Sequence, residues 1–259
     1  MRFASLGSGS EGNGLVVEAG RQGAPMRVLI DCGFGLAQVR RRLARLGLAP
    51  TDLHAIFVTH EHSDHLGGAV RLARAAGAQL FMTRGTAAAG LRELPEGLPL
   101  QLIEADRPIE LEGLRVDPVP VPHDAREPVQ FVIEDSRSRL GVLTDLGQST
   151  PHLVRRMTGL HALVLECNHD AAMLRDGPYP WSLKRRIAGP YGHLENAAAA
   201  ALLAQLDQRC LGTVVAAHLS RSNNRPDLAR RALSAVWAGA NEQDVLVADQ
   251  DQGLGWTEV

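Results

Sequence analysis

The feature that most constrains this chain is a cluster of metal-type ligands within six consecutive residues. His60, His62, Asp64 and His65 directly follow residues 55–59, an apolar run that predicts a buried strand. Burial of these side chains without partners would cost about 1–3 kcal/mol for each unsatisfied polar group. Because imidazole nitrogen and carboxylate oxygen are ligands for zinc, manganese and iron, the run predicts a metal site rather than a core segment or a solvated loop.

The spacing of these ligands indicates how they divide between ions. In an extended turn, His60 and His62 point the same way and can share one ion. Asp64 and His65 follow where the chain bends into a helix, so they can face a second ion. Four ligands at this spacing are a much stronger signal than a lone His-x-His pair.

Two further ligand candidates stand at the ends of other predicted strands. His123 follows the run Val-Pro-Val-Pro at residues 119–122, and Asp145 follows the run Val-Leu-Thr at residues 142–144. A carboxylate and an imidazole at strand ends strengthen the prediction of a metal site.

The apolar periodicity predicts one domain over residues 1–259, with two sheets covered by helices. The hydrophobic fraction is 45 % and aromatic residues are only 4 %, so the core is expected to be aliphatic. Strands are predicted at residues 2–6, 15–18, 27–30, 55–59, 79–82, 114–121, 129–133, 140–143, 160–165, 213–217 and 245–247. Helices are predicted at residues 37–46, 68–76, 194–206 and 226–237.

Charge and cysteine content narrow the class of protein. The net charge of −2 does not indicate a polyanionic partner. A bound metal pair would add positive charge that is not included in the net charge of the sequence. Cys32, Cys167 and Cys210 are far apart, which favours reduced thiols over disulfides. The N-terminal residues lack the apolar segment of a signal peptide. The sequence contains no run of about eighteen apolar residues, so no transmembrane helix is expected. The expected location is the cytoplasm, with no membrane partner.

The order of the ligand candidates resembles the signature of the metallo-β-lactamase-fold hydrolases. That resemblance rests on the motif His-x-His-x-Asp-His at residues 60–65, followed by His123, Asp145 and His218. It implies an α/β fold, a four-layer αββα sandwich, with two divalent metal ions (Zn²⁺ or Mn²⁺) in a cleft at the sheet ends. The implied ligands of the first ion are His60, His62 and His123. The implied ligands of the second ion are Asp64, His65 and His218. Asp145 is implied to bridge the two ions.

Segments along nearly the whole chain resemble the YycJ/WalJ family in particular. The matching segments are residues 1–10, 29–33, 59–65, 166–170, 179–180, 183–187, 192–196 and 217–220. That family is a bacterial branch related to tRNase Z and to phosphonate-pathway phosphodiesterases, and it is associated with 5′→3′ exonuclease activity on DNA. The resemblance implies a nucleic acid substrate, with DNA favoured, cleaved by a hydroxide that bridges the two metal ions.

Two residues are candidates for proton transfer. Asp64 is expected to bind metal and also to accept a proton from the nucleophilic water. His193 stands at the start of the helix predicted at residues 194–206, where free N–H groups favour a phosphate. In the related tRNase Z enzymes the histidine of a similar motif acts on the leaving group, which implies the same role for His193. A capping or surface histidine is the alternative.

Three other residues are candidates for contacting a ligand side chain or the substrate. Asp31 ends a strand and is expected to orient a ligand histidine through a hydrogen bond, with a plain turn-forming role as the alternative. His169 follows another apolar strand and either contacts ligands or substrate or fixes its own loop. Asn196 belongs to the family-like motif at residues 192–196 and is placed in the same group.

One segment has the composition of a nucleic-acid contact. Lys184, Arg185 and Arg186 lie close in sequence to Tyr179 and Trp181. Arginine and aromatic side chains together hold phosphates and stack on bases. Exposed arginines on an ordinary surface helix are the alternative interpretation.

These observations leave more than one function open. The leading hypothesis is a DNA exonuclease, and the first alternative is a small-molecule hydrolase that cleaves a cyclic phosphodiester or a thioester with the same metal motif. The second alternative is a non-catalytic binding scaffold, which predicts a broken ligand set, whereas all seven ligand candidates are present. The oligomeric state is left open.

Overall fold

The computed structural model describes residues 1–21, 24–91 and 97–259. The described strands form two mixed sheets of seven strands each. The first sheet has the order β14-β1-β2-β3-β4-β5-β6. Its strands are β1 (Arg2–Gly7), β2 (Gly14–Arg21), β3 (Ala24–Ile30), β4 (Ala55–Phe57), β5 (Gln79–Thr83), β6 (Leu100–Ile103) and β14 (Leu254–Glu258).

The second sheet has the order β13-β12-β11-β10-β9-β8-β7. Its strands are β7 (Ile109–Leu111), β8 (Leu114–Pro120), β9 (Val129–Glu134), β10 (Arg139–Leu143), β11 (Ala162–Glu166), β12 (Thr213–Ala217) and β13 (Leu246–Val247). The described helices are α1 (Leu36–Ala44), α2 (Ser63–Leu66), α3 (Ala69–Ala76), α4 (Arg84–Gly90), α5 (Pro151–Arg156), α6 (Ala171–Asp176), α7 (Trp181–Ile187), α8 (Asn196–Leu203) and α9 (Pro226–Ser234), with a 3₁₀ turn at Pro50–Asp52. Among the described residues, no helix is both long and apolar enough to cross a bilayer.

Three hydrophobic clusters hold the layers together. The central cluster joins the facing sides of the two sheets and includes Phe57, Phe81 and Phe131. A second cluster packs α1 and α3 against the outer face of the first sheet, and a third packs α5, α8 and α9 against the outer face of the second sheet. The architecture is therefore the four-layer αββα sandwich that the sequence predicted.

The direction of the strands determines where the polar strand ends meet. In the first sheet, β3 to β6 run parallel, and in the second sheet β10 to β13 run parallel. Asp31 follows β3, and the turn that begins at Thr59 follows β4. Asp145 follows β10, and His218 follows β12. Since side chains beyond the carboxyl ends of parallel strands gather at one edge of a sheet, both sheets deliver polar groups to a common cleft.

The predicted strands are confirmed to within a few residues, and the predicted helices are confirmed with shifted ends. The helix predicted at residues 194–206 begins only at Asn196, because the preceding residue, Glu195, is extended, and because hydrogen bonds to residues at and after the end of β11 hold Leu194. Its N–H donates to the Glu166 carboxylate at 3.3 Å, and its carbonyl accepts from Asn168 N–H at 3.0 Å. The short strands β6, β7 and β14 and the helices α4 to α7 were not predicted. Each of these helices spans seven residues or fewer, which is too short to give a clear helical period.

We expect Phe57→Ala to lower the free energy of unfolding by about 3–5 kcal/mol, because the cavity would open at the junction of the two sheets. Phe57 stacks on Phe81 with ring centroids 4.4 Å apart, and its ring meets Phe131 of the other sheet edge-on at 5.5 Å. Urea denaturation at a fixed metal concentration measures the loss, and Phe57→Leu is the control with a smaller expected effect. A loss below about 1 kcal/mol for the alanine variant would contradict this packing role.

Candidate metal centre and catalytic cleft

The turn after β4 is held in shape by Asp31. This carboxylate accepts hydrogen bonds from Thr59 N–H at 2.8 Å and from the Thr59 hydroxyl at 2.9 Å, and it lies 2.8 Å from His65 Nδ1. Thr59 Oγ1 also lies 2.9 Å from His60 Nδ1. The contact with His65 is the orienting geometry expected for Asp31, while the part played by Thr59 was missed because the sequence carries no signal for it.

Close backbone packing surrounds the same turn. A Cβ atom on Gly33 would collide with the Asp64 carbonyl, so only glycine allows the chain after β3 to approach the ligand turn. The loop after β1 also contacts the turn, because Asn13 N–H donates to the Asp64 carbonyl at 2.8 Å. The Ser8 hydroxyl accepts from His218 N–H at 2.9 Å. This loop therefore braces ligand-bearing segments of both sheets.

Three histidines form the first cluster of potential ligand atoms. His62 Nδ1 lies 3.0 Å from His60 Nε2 and 3.3 Å from His123 Nε2, and the three ligand atoms lie within 4.8 Å of one another. His123 Nδ1 donates to the Gly192 carbonyl at 3.0 Å, which leaves Nε2 directed into the cluster. Burial lowers the pKa of His123 and holds the pKa of His60 well below its usual value. Both rings are therefore neutral at pH 7, which is the form that binds a metal.

The second cluster combines Asp64, His65 and His218, whose ligand atoms also lie within 4.8 Å of one another. Asp64 Oδ2 is 3.4 Å from His65 Nε2 and 3.6 Å from His218 Nε2. Asp145 stands between the clusters, with its carboxylate 3.0 Å from His65 Nε2 and 3.8 Å from His123 Nε2. The structure thus brings together all seven side chains that the resemblance implied as ligands.

The charges of the second cluster are compatible with a cation. Burial opposes protonation of His218, but the carboxylates of Asp145, Asp64 and Glu166 raise its pKa to about 10. His65 behaves in the same way, with Asp145 and Asp31 holding its pKa well above the usual value against burial. The two imidazolium rings balance the negative charge of three buried or half-buried carboxylates. A bound cation would supply positive charge at the same place.

Unsatisfied atoms provide an independent test of whether a metal fits. His218 Nε2 and Asp145 Oδ2 are buried and make no hydrogen bond of good geometry in the part of the chain that the structure describes, although Asp64 Oδ2 lies 3.6 Å from the first atom and His65 Nε2 lies 3.0 Å from the second. Buried polar atoms of this kind are rare in folded proteins and call for an explanation. Because both atoms belong to the ligand clusters, and because the donors are imidazole nitrogens and carboxylate oxygens, the residues present fit divalent ions such as Zn²⁺ or Mn²⁺.

Glu166 is the site residue to which sequence reasoning assigned no role. Its Oε1 lies 2.7 Å from His193 Nδ1 and 3.4 Å from His218 Nδ1, and its Oε2 accepts from Leu146 N–H at 2.8 Å. Burial opposes protonation of His193, but the Glu166 carboxylate raises its pKa. A signal did exist, since Glu166 ends an otherwise apolar strand in the same way that Asp145 follows one.

The remaining candidates contact residues outside the ligand clusters. His169 Nδ1 lies 3.4 Å from Asn168 Oδ1, and burial lowers the pKa of His169 to about 4. Asn196 forms two side-chain hydrogen bonds of 2.9 Å with Asn224, and its N–H donates to the His169 carbonyl at 2.9 Å. That N–H at the start of α8 is therefore occupied by protein, while the phosphate contact expected at this helix end next to His193 stays a prediction.

The clusters face a cleft with a volume of about 270 Å³. Its floor includes His62, Asp64, Asp145, His193 and His218. One wall is formed by the segment around α7, which contributes Tyr179, Leu183, Arg186 and Ile187.

Comparisons with known proteins agree with this fold. The sequence model of the β-lactamase superfamily domain matches residues 26–218. Exodeoxyribonuclease YycJ of Bacillus anthracis is 34 % identical over 91 % of this chain and 89 % of its own length. Exodeoxyribonuclease WalJ of Streptococcus pneumoniae is 30 % identical over 90 % of this chain and 86 % of its own length.

Among solved structures, Zn²⁺-bound PqqB from Methylobacterium extorquens is similar with a TM-score of 0.72 and 19 % identity, and the match covers all of both chains. This likeness shows the fold alone. The chain therefore belongs to the β-lactamase superfamily and, within it, to the family of the YycJ and WalJ exodeoxyribonucleases, which are hydrolases with the metallo-β-lactamase fold.

Proposed function

We propose that this chain is a two-metal exodeoxyribonuclease that hydrolyses phosphodiester bonds of DNA in the 5′→3′ direction. The observation that carries the proposal is the pair of ligand clusters that share Asp145 at the floor of one cleft. The names of the relatives support DNA as the substrate, because YycJ and WalJ are exodeoxyribonucleases similar to this chain over about nine-tenths of its length.

The proposed ligands divide as the clusters do. The first ion would be held by His60, His62 and His123. The second ion would be held by Asp64, His65 and His218. Asp145 would contact both. When bound, the ions would supply Lewis acidity, which lowers the pKa of water and neutralises charge on a phosphodiester.

The protein's own contribution to the chemistry centres on His193. Glu166 binds Nδ1 of this ring at 2.7 Å and so favours the protonated form, with the ring held at the edge of the cleft. In the described structure Nε2 has no hydrogen-bond partner, which leaves it available to donate a proton to the oxygen that departs from phosphorus. Asp64 is proposed to accept the proton of the attacking water, because its pKa is held low by His218 and His65 against burial and the carboxylate stays ionised.

A small-molecule hydrolase on the same fold is the second candidate, acting on a cyclic phosphodiester or a thioester. The cleft volume of about 270 Å³ favours it, since such a space accommodates a compact substrate. The net charge of −2 also favours it, because the chain as a whole does not attract a polyanion.

One assay separates the two candidates. The purified protein is incubated with Mn²⁺ or Zn²⁺ and with 5′-end-labelled and 3′-end-labelled DNA, labelled RNA and bis(p-nitrophenyl) phosphate. Release of single labelled nucleotides from the 5′ end of DNA would support the proposal. Cleavage of the chromogenic diester alone would remove the nuclease function and leave the small-molecule candidate.

We expect His62→Ala and Asp145→Ala each to abolish hydrolysis without unfolding the protein. Loss of a hydrogen-bond partner of a metal ligand already costs about 10–100-fold in metal affinity or activity, so loss of a ligand should cost at least about 100-fold. Initial rates, metal content and circular dichroism are measured together. His152→Ala is the matched control, because His152 pairs with Asp106 and lies outside the clusters. Retained hydrolysis in either ligand variant would contradict the two-metal site.

His193→Ala should slow hydrolysis of DNA by about 100-fold or more, the range of general acid catalysis, and should slow bis(p-nitrophenyl) phosphate much less. The reason is that p-nitrophenolate is a stable leaving group and needs no proton, whereas a deoxyribose oxygen does. Glu166→Gln should show the same pattern more weakly, since it removes the charge that favours the protonated ring. An equal loss on both substrates would argue that His193 is structural.

Metal binding should release protons, and metal affinity should rise with pH. His218, with a pKa of about 10, and His65, whose pKa is also raised, are protonated at neutral pH and must lose their protons to bind a cation. Titration calorimetry in two buffers of different ionisation enthalpy, at pH 6.5 and 8.0, measures the number of protons released. Identical heats in the two buffers would mean that these histidines do not become ligands.

A further inference from the structure

The histidines of the metal clusters are oriented by partners outside the clusters. In four of the five ligand histidines, a polar atom lies within 3.4 Å of the ring nitrogen that is not directed at the cluster. These contacts are Thr59 Oγ1 to His60 at 2.9 Å, Asp31 to His65 at 2.8 Å, the Gly192 carbonyl to His123 at 3.0 Å and Glu166 to His218 at 3.4 Å. Such partners fix the orientation of a metal-binding ring.

His62 is the fifth of these histidines, and its second nitrogen faces Asp124. His62 Nδ1 belongs to the first cluster, at 3.0 Å from His60 Nε2 and 3.3 Å from His123 Nε2. Its Nε2 therefore carries the ring proton when Nδ1 binds a metal. Asp124 Oδ1 lies 3.7 Å from this Nε2, which is within the range of an ion pair and longer than a hydrogen bond.

The ring of His62 is held less firmly by packing than the rings beside it. Its side chain is 31 % exposed, whereas the side chains of His65 and His123 are fully buried. A ring that water can reach keeps more freedom to rotate than one enclosed in a close-packed core. The orientation of His62 therefore depends more on a polar partner than that of the buried rings.

An ion pair on the other oxygen of Asp124 fixes the direction of its carboxylate. Arg186 Nε donates to Asp124 Oδ2 at 2.6 Å, while Oδ1 lies near the rings of His62 and His123. The Asp124 side chain is 28 % exposed, so its charge is partly shielded from solvent ions. The carboxylate thus joins the first cluster to α7 with one oxygen on each side.

The backbone around Asp124 is tied to neighbouring segments. Glu61, which belongs to the ligand turn, accepts a hydrogen bond from Arg126 N–H at 2.7 Å. The Glu127 carbonyl accepts from the Thr83 hydroxyl, at the end of β5, at 2.9 Å. Because these contacts hold the loop from the ligand turn and from the first sheet, Asp124 has a defined place beside the first cluster.

We propose that Asp124 is a positioning residue of the first metal site, whose carboxylate receives the Nε2–H of His62 and so directs Nδ1 of that ring at the ion. The inference rests on the proposed function and deepens it, because it names a further residue on which the binding of one ion depends. Asp124 directly follows the ligand candidate His123, but the sequence gives no sign that it acts on His62, which is distant along the chain.

The test measures the binding of the ions separately from hydrolysis. Metal-free protein is titrated with Zn²⁺ in competition with a chromophoric chelator, which gives the affinity of each bound ion, and circular dichroism checks the fold. Asp124→Asn should weaken the binding of one ion by about tenfold, as for loss of a partner of a metal ligand, and should leave the other ion unchanged. Asp124→Glu keeps the charge and should bind that ion more tightly than Asp124→Asn.

Asp207→Asn is the matched control. Asp207 also pairs with an arginine, Arg209, at 2.6 Å, and its side chain is 32 % exposed. It precedes β12, whereas His218 follows that strand at the opposite end. The Asp207→Asn variant should therefore bind both ions with wild-type affinity.

Arg186→Gln separates positioning of His62 from a merely structural ion pair. If Asp124 mattered only by tying α7 to its loop, loss of Arg186 would weaken metal binding as much as loss of Asp124. We expect Arg186→Gln to retain wild-type metal affinity, because the carboxylate still faces His62. Addition of Asp124→Asn to His62→Ala should cause no further loss of affinity, because Asp124 acts through the ring that is already missing.

The outcomes distinguish this inference from the function on which it rests. Wild-type affinity for both ions in Asp124→Asn, an equal loss in Arg186→Gln, or a further loss in the double variant would overturn the positioning role. Complete loss of one ion in Asp124→Asn would also overturn it, because Asp124 would then be a ligand itself. A wild type that binds two ions without cleaving DNA would instead overturn the proposed substrate and leave the role of Asp124 intact.

Discussion

The buried carboxylate of Asp145 is the contact on which the rest of the site depends. It follows β10 at the seam of the two sheets, 3.0 Å from His65 on one side and 3.7 Å from His218 on the other. Burial opposes ionisation of this carboxyl, yet His218 and His65 hold its pKa well below the usual value. A carboxylate taken out of water requires compensating positive charge. The surrounding ligands are arranged to bind a cation, which would supply that charge.

Backbone strain at two strand ends directs the side chains toward this seam. Asp31 and His218 adopt left-handed φ angles of 62° and 53°, which cost of order 1–3 kcal/mol each for residues with a side chain. Each is held by a hydrogen bond with another segment. The Asp31 carboxylate accepts from Thr59 N–H, and His218 N–H donates to the Ser8 hydroxyl. The two strained residues are therefore a ligand candidate, His218, and a residue that orients a ligand candidate, Asp31. At both positions the chain turns away from the direction of the preceding strand.

Local sequence patterns predicted those parts of the molecule whose geometry is itself local. The turn after β4 could be recognised because His60 and His65 lie within one short segment, and long apolar strands could be recognised from their composition. Thr59 could not be assigned a role, because its importance comes from hydrogen bonds to Asp31, which is distant in sequence. Glu166 offered only its position at the end of an apolar strand, because its partners His193 and His218 lie on other segments. The start of α8 was misplaced for a similar reason, since Asn168 N–H occupies the Leu194 carbonyl, which would otherwise accept a hydrogen bond within the helix. The ligand roles, the native metal, the single domain and the cytoplasmic location stay predictions.

The ligand clusters contain residues from both sheets of the sandwich. The first sheet supplies the turn at residues 60–65, and the second sheet supplies His123, Asp145 and His218. Ions bound there would act as cross-links between two halves, in addition to the apolar contacts and hydrogen bonds that already join them. Because only the assembled halves create the coordination sphere, occupancy and conformational stability are thermodynamically linked. If the two sheets separated at this seam, even without unfolding of either sheet, the ligands would move apart. The ions would then be released and hydrolysis would be lost.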